Sequence, residues 1–109
     1  MEIKKYLVNK NDCLESALIK INNNHHGIVF IEDEGSVIGC ATDGDIRRVL
    51  LEKRDLSSKV NICVNQNFTF LYKQDATKEN ILKLLDTRVK AIPILNKNNE
   101  LSRVFLIIK

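Results

Sequence analysis

The chain carries one unit written twice, and that duplication constrains its fold more than any other feature. Asp12 opens a predicted helix to Asn22, with Leu14, Ala17, Leu18 and Ile21 on one face. The polar turn Asn22-Asn23-Asn24-His25-His26 leads to the apolar strand Ile28-Val29-Phe30-Ile31. Asp33-Glu34-Gly35-Ser36 turns the chain, and a further strand runs to Ala41. From Asp75 the same order returns. A helix to Asp86 presents Ile81, Leu82, Leu84 and Leu85, and a turn at Thr87-Arg88 leads to the strand Ala91-Ile92-Pro93-Ile94-Leu95. Asn96-Lys97-Asn98-Asn99 turns it, and a strand runs from Leu101 to Ile108. Asp12 and Ile28 stand as far apart as Asp75 and Ala91. Each helix has a short strand before it, Lys5-Tyr6-Leu7-Val8 in one copy and Phe68-Thr69-Phe70-Leu71-Tyr72 in the other.

Equal spacing and equal turn chemistry predict an α/β (α+β) fold of two β-α-β-β repeats. The first covers 1–56 and adds a helix from Asp45 to Lys53; the linker and second repeat cover 57–109. Glu15, three residues after Asp12, predicts a capping box at the first helix with Asp in place of Ser. Val29, Ile31, Ile38, Ile92, Ile94, Leu18, Ile21, Leu82 and Leu85 are the predicted core.

At 109 residues there is room for one domain or two small repeats. The net charge of +3 is mild and its lysines and arginines lie among acids, which argues against a nucleic-acid surface or a membrane anchor. No stretch approaches the ~18 apolar residues of a membrane span. Met1-Glu2-Ile3-Lys4-Lys5 lacks the apolar core of a signal peptide, so the expected location is cytoplasmic. Cys13, Cys40 and Cys63 form no Cys-x-x-Cys pair and read as reduced, partly buried thiols. His25-His26 lie far from metal-binding spacing with any cysteine, so no metal is expected.

The segment that carries chemistry is Gly39-Cys40-Ala41-Thr42-Asp43-Gly44-Asp45, where a strand turns directly into a helix. Such a helix start offers free N–H groups to an anion. Thr42 can give a hydroxyl to a phosphate, and Asp45 can accept two ribose hydroxyls. The same residues also make a plain helix start, with Thr42 or Asp43 as N-cap and Asp45 favoured by the dipole. Asp43 and Asp45 could hold magnesium or act as acid and base, but one helix start is too little for a reaction centre. Phosphate-loop, dinucleotide-fingerprint and nucleophile-elbow motifs are absent, so the chain does not read as an enzyme. Arg47 or Arg48 can swing to a phosphate; alternatively Arg48 pairs with Glu52 on a solvated face.

These residues and the repeat resemble a tandem pair of CBS domains, the regulatory Bateman module, over essentially the whole chain. The carrying motif is Gly-hydrophobic-x-Thr/Ser-x-x-Asp, matched by Gly39 to Asp45, with a hydrophobic-Pro strand start matched by Ile92-Pro93. The resemblance implies two β-α-β-β-α repeats docked about a pseudo-twofold axis, with clefts that hold adenosine nucleotides such as AMP, ADP or ATP. It implies Asp45 on the ribose, Thr42 on phosphate, Asp43 beside them, and Ile28, Val29 and Phe30 walling the adenine. The second repeat has no Thr or Asp at the matching places, and its glycine is replaced by Ser102 or Arg103. Its site is expected to be degenerate. Val29 or Phe30 replaces the usual proline of the first repeat.

The start of the chain and Thr42-Asp43-Gly44-Asp45-Ile46-Arg47-Arg48 are similar to the CBS pair preceding the catalytic domain of some bacterial sugar nucleotidyltransferases. The Thr-Asp-Gly-Asp-x-Arg-Arg run also resembles the pair that follows the catalytic domain in arabinose 5-phosphate isomerases; the initial Met favours the first comparison. The chain stops where the second repeat's last helix would begin, leaving the apolar ending Val104-Phe105-Leu106-Ile107-Ile108. Either the protein continues past Lys109 or a partner chain covers it; a homodimer is expected, with an attached or partner catalytic domain as the enzyme it serves. Two functions follow: a regulatory nucleotide sensor, or a dimerisation scaffold with a vestigial site.

Overall fold

The computed structural model describes residues 3–52, 54–85 and 91–106. A 3-10 turn, Ile3–Tyr6, leads into β1 (Leu7–Asn9), α1 (Leu14–Asn24), β2 (Ile28–Asp33), β3 (Ser36–Thr42) and α2 (Asp43–Leu51). The linker contains a second 3-10 turn, Val60–Cys63. Then come β4 (Leu71–Tyr72), a third such turn at Lys73–Asp75, α3 (Lys78–Leu85), β5 (Ala91–Leu95) and β6 (Leu101–Leu106). Each repeat builds its own three-stranded sheet, ordered β1-β2-β3 and β4-β5-β6. In both, the first pair is parallel and the second antiparallel. The duplicated fold expected from the sequence is therefore present.

Alternation along β2 divides the core in two. Val29 and Ile31 point to the helices and pack with Val8, Leu14, Ala17, Ile21, Ala41, Ile46 and Val60. Phe30 points the other way, into a cluster with Tyr6, Val37, Cys40, Ala91, Leu95, Leu101 and Val104. That second cluster draws on both sheets and joins the repeats. Ser36 and Glu100 form an antiparallel bridge at the strand starts, and Val37 N–H donates to the Asn99 carbonyl at 2.8 Å.

Strand register shows which residues correspond. Ile28 stands opposite Thr42, and Ala91, on the same inter-sheet face of its own strand, stands opposite Leu106. Gly39 stands opposite Ile31, and Arg103 opposite Ile94. Leu106 thus occupies the place of Thr42, and Arg103, rather than Ser102, that of Gly39.

Several local expectations change. Asp12 does not cap α1, which starts at Leu14 behind Cys13 without a side-chain cap. The Asp12 carboxylate instead accepts from the Asn9 N–H at 2.9 Å. The linker supplies the acceptors at the helix start: Leu14 N–H donates to Ser58 O at 2.9 Å and Glu15 N–H to Leu56 O at 3.1 Å. Backbone carbonyls from a distant segment satisfy orphan donors as well as a side chain would. Asp75 lies in a 3-10 turn, and the Thr77 hydroxyl accepts from Asn80 N–H at the start of α3. Tyr6 belongs to a turn rather than a strand, and β4 is limited to Leu71 and Tyr72. α2 begins two residues before Asp45, at Asp43, and ends at Leu51.

Of the predicted core, Val29, Ile31, Ile21, Ile92 and Ile94 are buried. Leu18 and Ile38 are half-buried against the first cluster. Leu82 is 51% exposed, so the apolar stripe of α3 is narrower than its sequence suggests. The side chain of Leu85, the turn at Thr87-Arg88, Lys53 and the strand end at Ile107-Ile108 lie outside the described residues.

Candidate functional site

The β3–α2 junction is built by a reciprocal capping box. The Thr42 hydroxyl oxygen accepts from Asp45 N–H at 3.1 Å, and Asp45 Oδ2 accepts from Thr42 N–H at 3.0 Å. Asp45 Oδ1 takes a further bond from Arg48 at 3.1 Å. Thr42 is thus the N-cap, and its own hydroxyl proton stays available because Oγ1 acts here as acceptor. Asp43 opens the helix, with its N–H on the Gly27 carbonyl at 3.1 Å and its carboxylate 3.5 Å from Arg47. That pair is exposed on both sides and contributes a few tenths of a kcal/mol at about i,i+4 spacing.

Above this junction lies a cleft of about 370 Å³ between the repeats. Ile28, Phe30 and Cys40 form its floor, and Thr42, Asp43 and Gly44 its helical end. The linker closes a side with Asn65, Asn67, Phe68 and Thr69; His26, Gly27 and Ala91 complete it. Apolar walls with a few convergent polar groups are the usual make-up of a small-molecule site.

The sequence-selected residues divide between four places. Ile28, Phe30, Thr42 and Asp43 come together in the cleft. Val29 is fully buried on the opposite face of its strand, in the helix-side core. Asp45 and Arg48 line a neighbouring, more open groove of about 290 Å³ with Val49, Cys63, Val64 and Asn65. Arg47 stands on the outer face of α2 beside Asp43. Asn65 lines both the cleft and the groove, so the two adjoin along the linker.

Gly39 explains how the linker comes so close. A Cβ there would lie 2.5 Å from Val64 Cγ2 and 2.6 Å from the Asn65 carbonyl oxygen. Cys40 and Asn65 exchange backbone bonds at 3.1 and 2.8 Å. The glycine of the motif is a docking point for the segment that supplies Asn65, Asn67 and Phe68. In sequence that segment reads as linker and strand; its signal is Asn-Gln-Asn-Phe-Thr-Phe, polar amides interleaved with aromatics. His26, which in sequence reads only as part of a polar turn, is also a cleft residue.

The cysteines near the site are held as neutral thiols. Burial pushes Cys40 up to about 11, with the Asp45 carboxylate and Cys63 adding to the effect. Burial, then Asp45, raises Cys63 to about 11. Cys40 therefore contributes a small apolar surface to the cleft floor rather than a nucleophile.

Residues 7–52 match the family model of the CBS domain. Over its described residues the chain has the fold of solved CBS domain pair proteins. A CBS domain pair/ACT domain protein from Thermotoga maritima superposes with a TM-score of 0.75 at 18% identity, covering 98% of this chain and 90% of the other. Staphylococcus aureus OpuCA gives 0.77 at 12% identity over 92% of this chain and 83% of its own. A CBS domain protein from Pyrobaculum aerophilum, solved in complex with AMP, gives 0.71 at 17% identity over 92% and 78%. No curated protein matches the chain in sequence. Among the described residues, no helix is long and apolar enough to cross a membrane.

Proposed function

We propose that the chain is a regulatory module that senses an adenosine nucleotide, AMP, ADP or ATP, and controls an attached or partner enzyme. The carrying observation is the inter-repeat cleft, with Ile28, Phe30 and Phe68 as apolar wall and the free Thr42 hydroxyl proton at the start of α2. The first two suit the flat face of a purine, and a helix start with a hydroxyl donor suits a phosphate. The AMP complex of the Pyrobaculum aerophilum protein, which shares the fold, supports this ligand class. Asp45 is proposed as the ribose acceptor from the adjoining groove: its carboxylate already takes Thr42 N–H and Arg48, and its remaining lone pairs can accept hydroxyls. A ligand that touches both repeats regulates by binding one arrangement of them better than another. A sugar nucleotidyltransferase is the enzyme proposed for it, on the sequence resemblance.

Calorimetric titration tests this reading. Wild type is expected to bind one adenosine nucleotide per chain. Thr42→Ala is expected to weaken AMP binding by about tenfold while sparing adenosine, since one hydrogen bond to a charged oxygen is lost. Loss of the cap also lowers stability by about 0.5–2 kcal/mol. Absence of any nucleotide binding overturns the sensor reading.

One observation favours the scaffold reading. Ile19 on α1 is 54% exposed and Leu82 on α3 is 51% exposed, at corresponding positions of the two outer helices. Two such helices offer a homodimer contact. Sedimentation equilibrium is expected to give a dimer that Ile19→Lys with Leu82→Lys converts to monomer; a wild-type monomer at high concentration removes this contact.

A further inference from the structure

His26 stands at the α2 end of the cleft in a ring position fixed by its neighbours. The His26 backbone N–H donates to the Asn24 side-chain oxygen at 2.8 Å. Asn24, 5% exposed, is itself held by the carbonyls of Lys5 and Ile28. His26 Nδ1 bonds the Asn24 carbonyl and lies 3.1 Å from the Tyr6 hydroxyl. A carbonyl can only accept, so Nδ1 carries a proton. A second proton on the ring has Nε2 as its place, and Nε2 has no hydrogen-bond partner among the described residues. The next residue, Gly27, accepts the Asp43 N–H, which sets His26 beside the helix start where Thr42 offers its hydroxyl.

Resting on the nucleotide reading above, we propose that His26 is a proton-dependent phosphate ligand: a nucleoside monophosphate enters the cleft with uptake of a proton on Nε2, and the unphosphorylated nucleoside does not. A neutral Nε2 presents a lone pair, which opposes phosphate oxygens. Protonated, it becomes a charge-assisted donor to them. The groups around the ring favour this. Tyr6, from the N-terminal turn, is raised by burial and stays neutral. Asp43, from α2, adds a carboxylate to the same cleft, partly offset by Arg47 on its outer side. Cys40, from β3, is a neutral thiol.

The test is calorimetry of AMP and of adenosine with the full chain, near neutral pH, in buffers of different ionisation enthalpy. The AMP enthalpy is expected to rise with buffer ionisation enthalpy, reporting proton uptake, while the adenosine enthalpy stays flat. His26→Gln is expected to flatten the AMP series, to weaken AMP about ten- to a hundredfold, and to leave adenosine binding, which also reports an intact fold. A flat AMP series in wild type overturns the proposal alone. So does an undiminished slope in His26→Gln, which would put the proton on the phosphate. Failure of both ligands to bind overturns this proposal together with the nucleotide reading.

Discussion

Phe30→Ala is expected to lower the unfolding free energy by about 3–5 kcal/mol, the range for removing a large buried aromatic from a core. Phe30 is 1% exposed and sits in the cluster that holds residues of both sheets, including Val37, Ala91, Leu95 and Val104. Its loss opens a void where the repeats meet, and rigid sheets on both sides limit collapse into it. A chain of 109 residues has roughly 5–15 kcal/mol in total at about 0.05–0.15 kcal/mol per residue, so the loss is a large fraction. Urea denaturation reads it as a shift of midpoint. Because Phe30 also lines the cleft, the proposed nucleotide binding is expected to weaken with it. A loss below about 1 kcal/mol would mean that the repeats do not share a core at this position.

Gly39→Ala is expected to cost about 1–3 kcal/mol through one added methyl group. Two of its close neighbours are the Val64 side chain and the Asn65 carbonyl oxygen, at 2.5 and 2.6 Å. A backbone carbonyl cannot rotate aside without breaking the paired bonds between Cys40 and Asn65. The linker has to move, and Asn65, Asn67 and Phe68 move with it, so the variant is also expected to bind nucleotide less well. Gly44→Ala is the control. There a Cβ meets the Thr42 oxygen at 3.7 Å, an ordinary contact, and the position is helical, where alanine is favoured. Thermal unfolding of the two variants side by side separates a close approach from a general intolerance of the junction. Equal stability of Gly39→Ala and wild type would reject the docking role.

What the sequence carried well was order and spacing. Residues with strong periodic burial, such as Val29, Ile31, Ile92 and Ile94, sit in the core as expected because β alternation and helix packing demand it. The junction Thr42-Asp43 reached the cleft because a strand–helix turn has few geometries. Less legible were features that depend on distant partners. The acceptors at the start of α1 come from Ser58 and Leu56, so Asp12 was free to bond its own turn instead. Asp45 looked like a free acceptor in sequence, yet the capping box and Arg48 draw on its carboxylate and turn it to the adjoining groove. Hence Asp45→Ala removes a cap as well as the proposed ribose acceptor, and its effect on stability is larger than a surface position implies. His26 and the linker amides carried no periodic signal, and they reached the cleft through the close approach at Gly39 and the turn held by Asn24.

The bridge between Ser36 and Glu100 carries a symmetry. These two residues hold corresponding positions in the two repeats, and they face each other in antiparallel pairing. Contact of a position with its own counterpart is the mark of isologous, twofold association between identical subunits. A single repeat meeting a second copy of itself would form the same bridge with the same residue from each side. The molecule is in that sense a dimer closed into one chain. The two halves differ at these matched places: one carries Gly39 and Thr42 beside the cleft, and the other carries an exposed Arg103 and a Leu106 packed against the shared core.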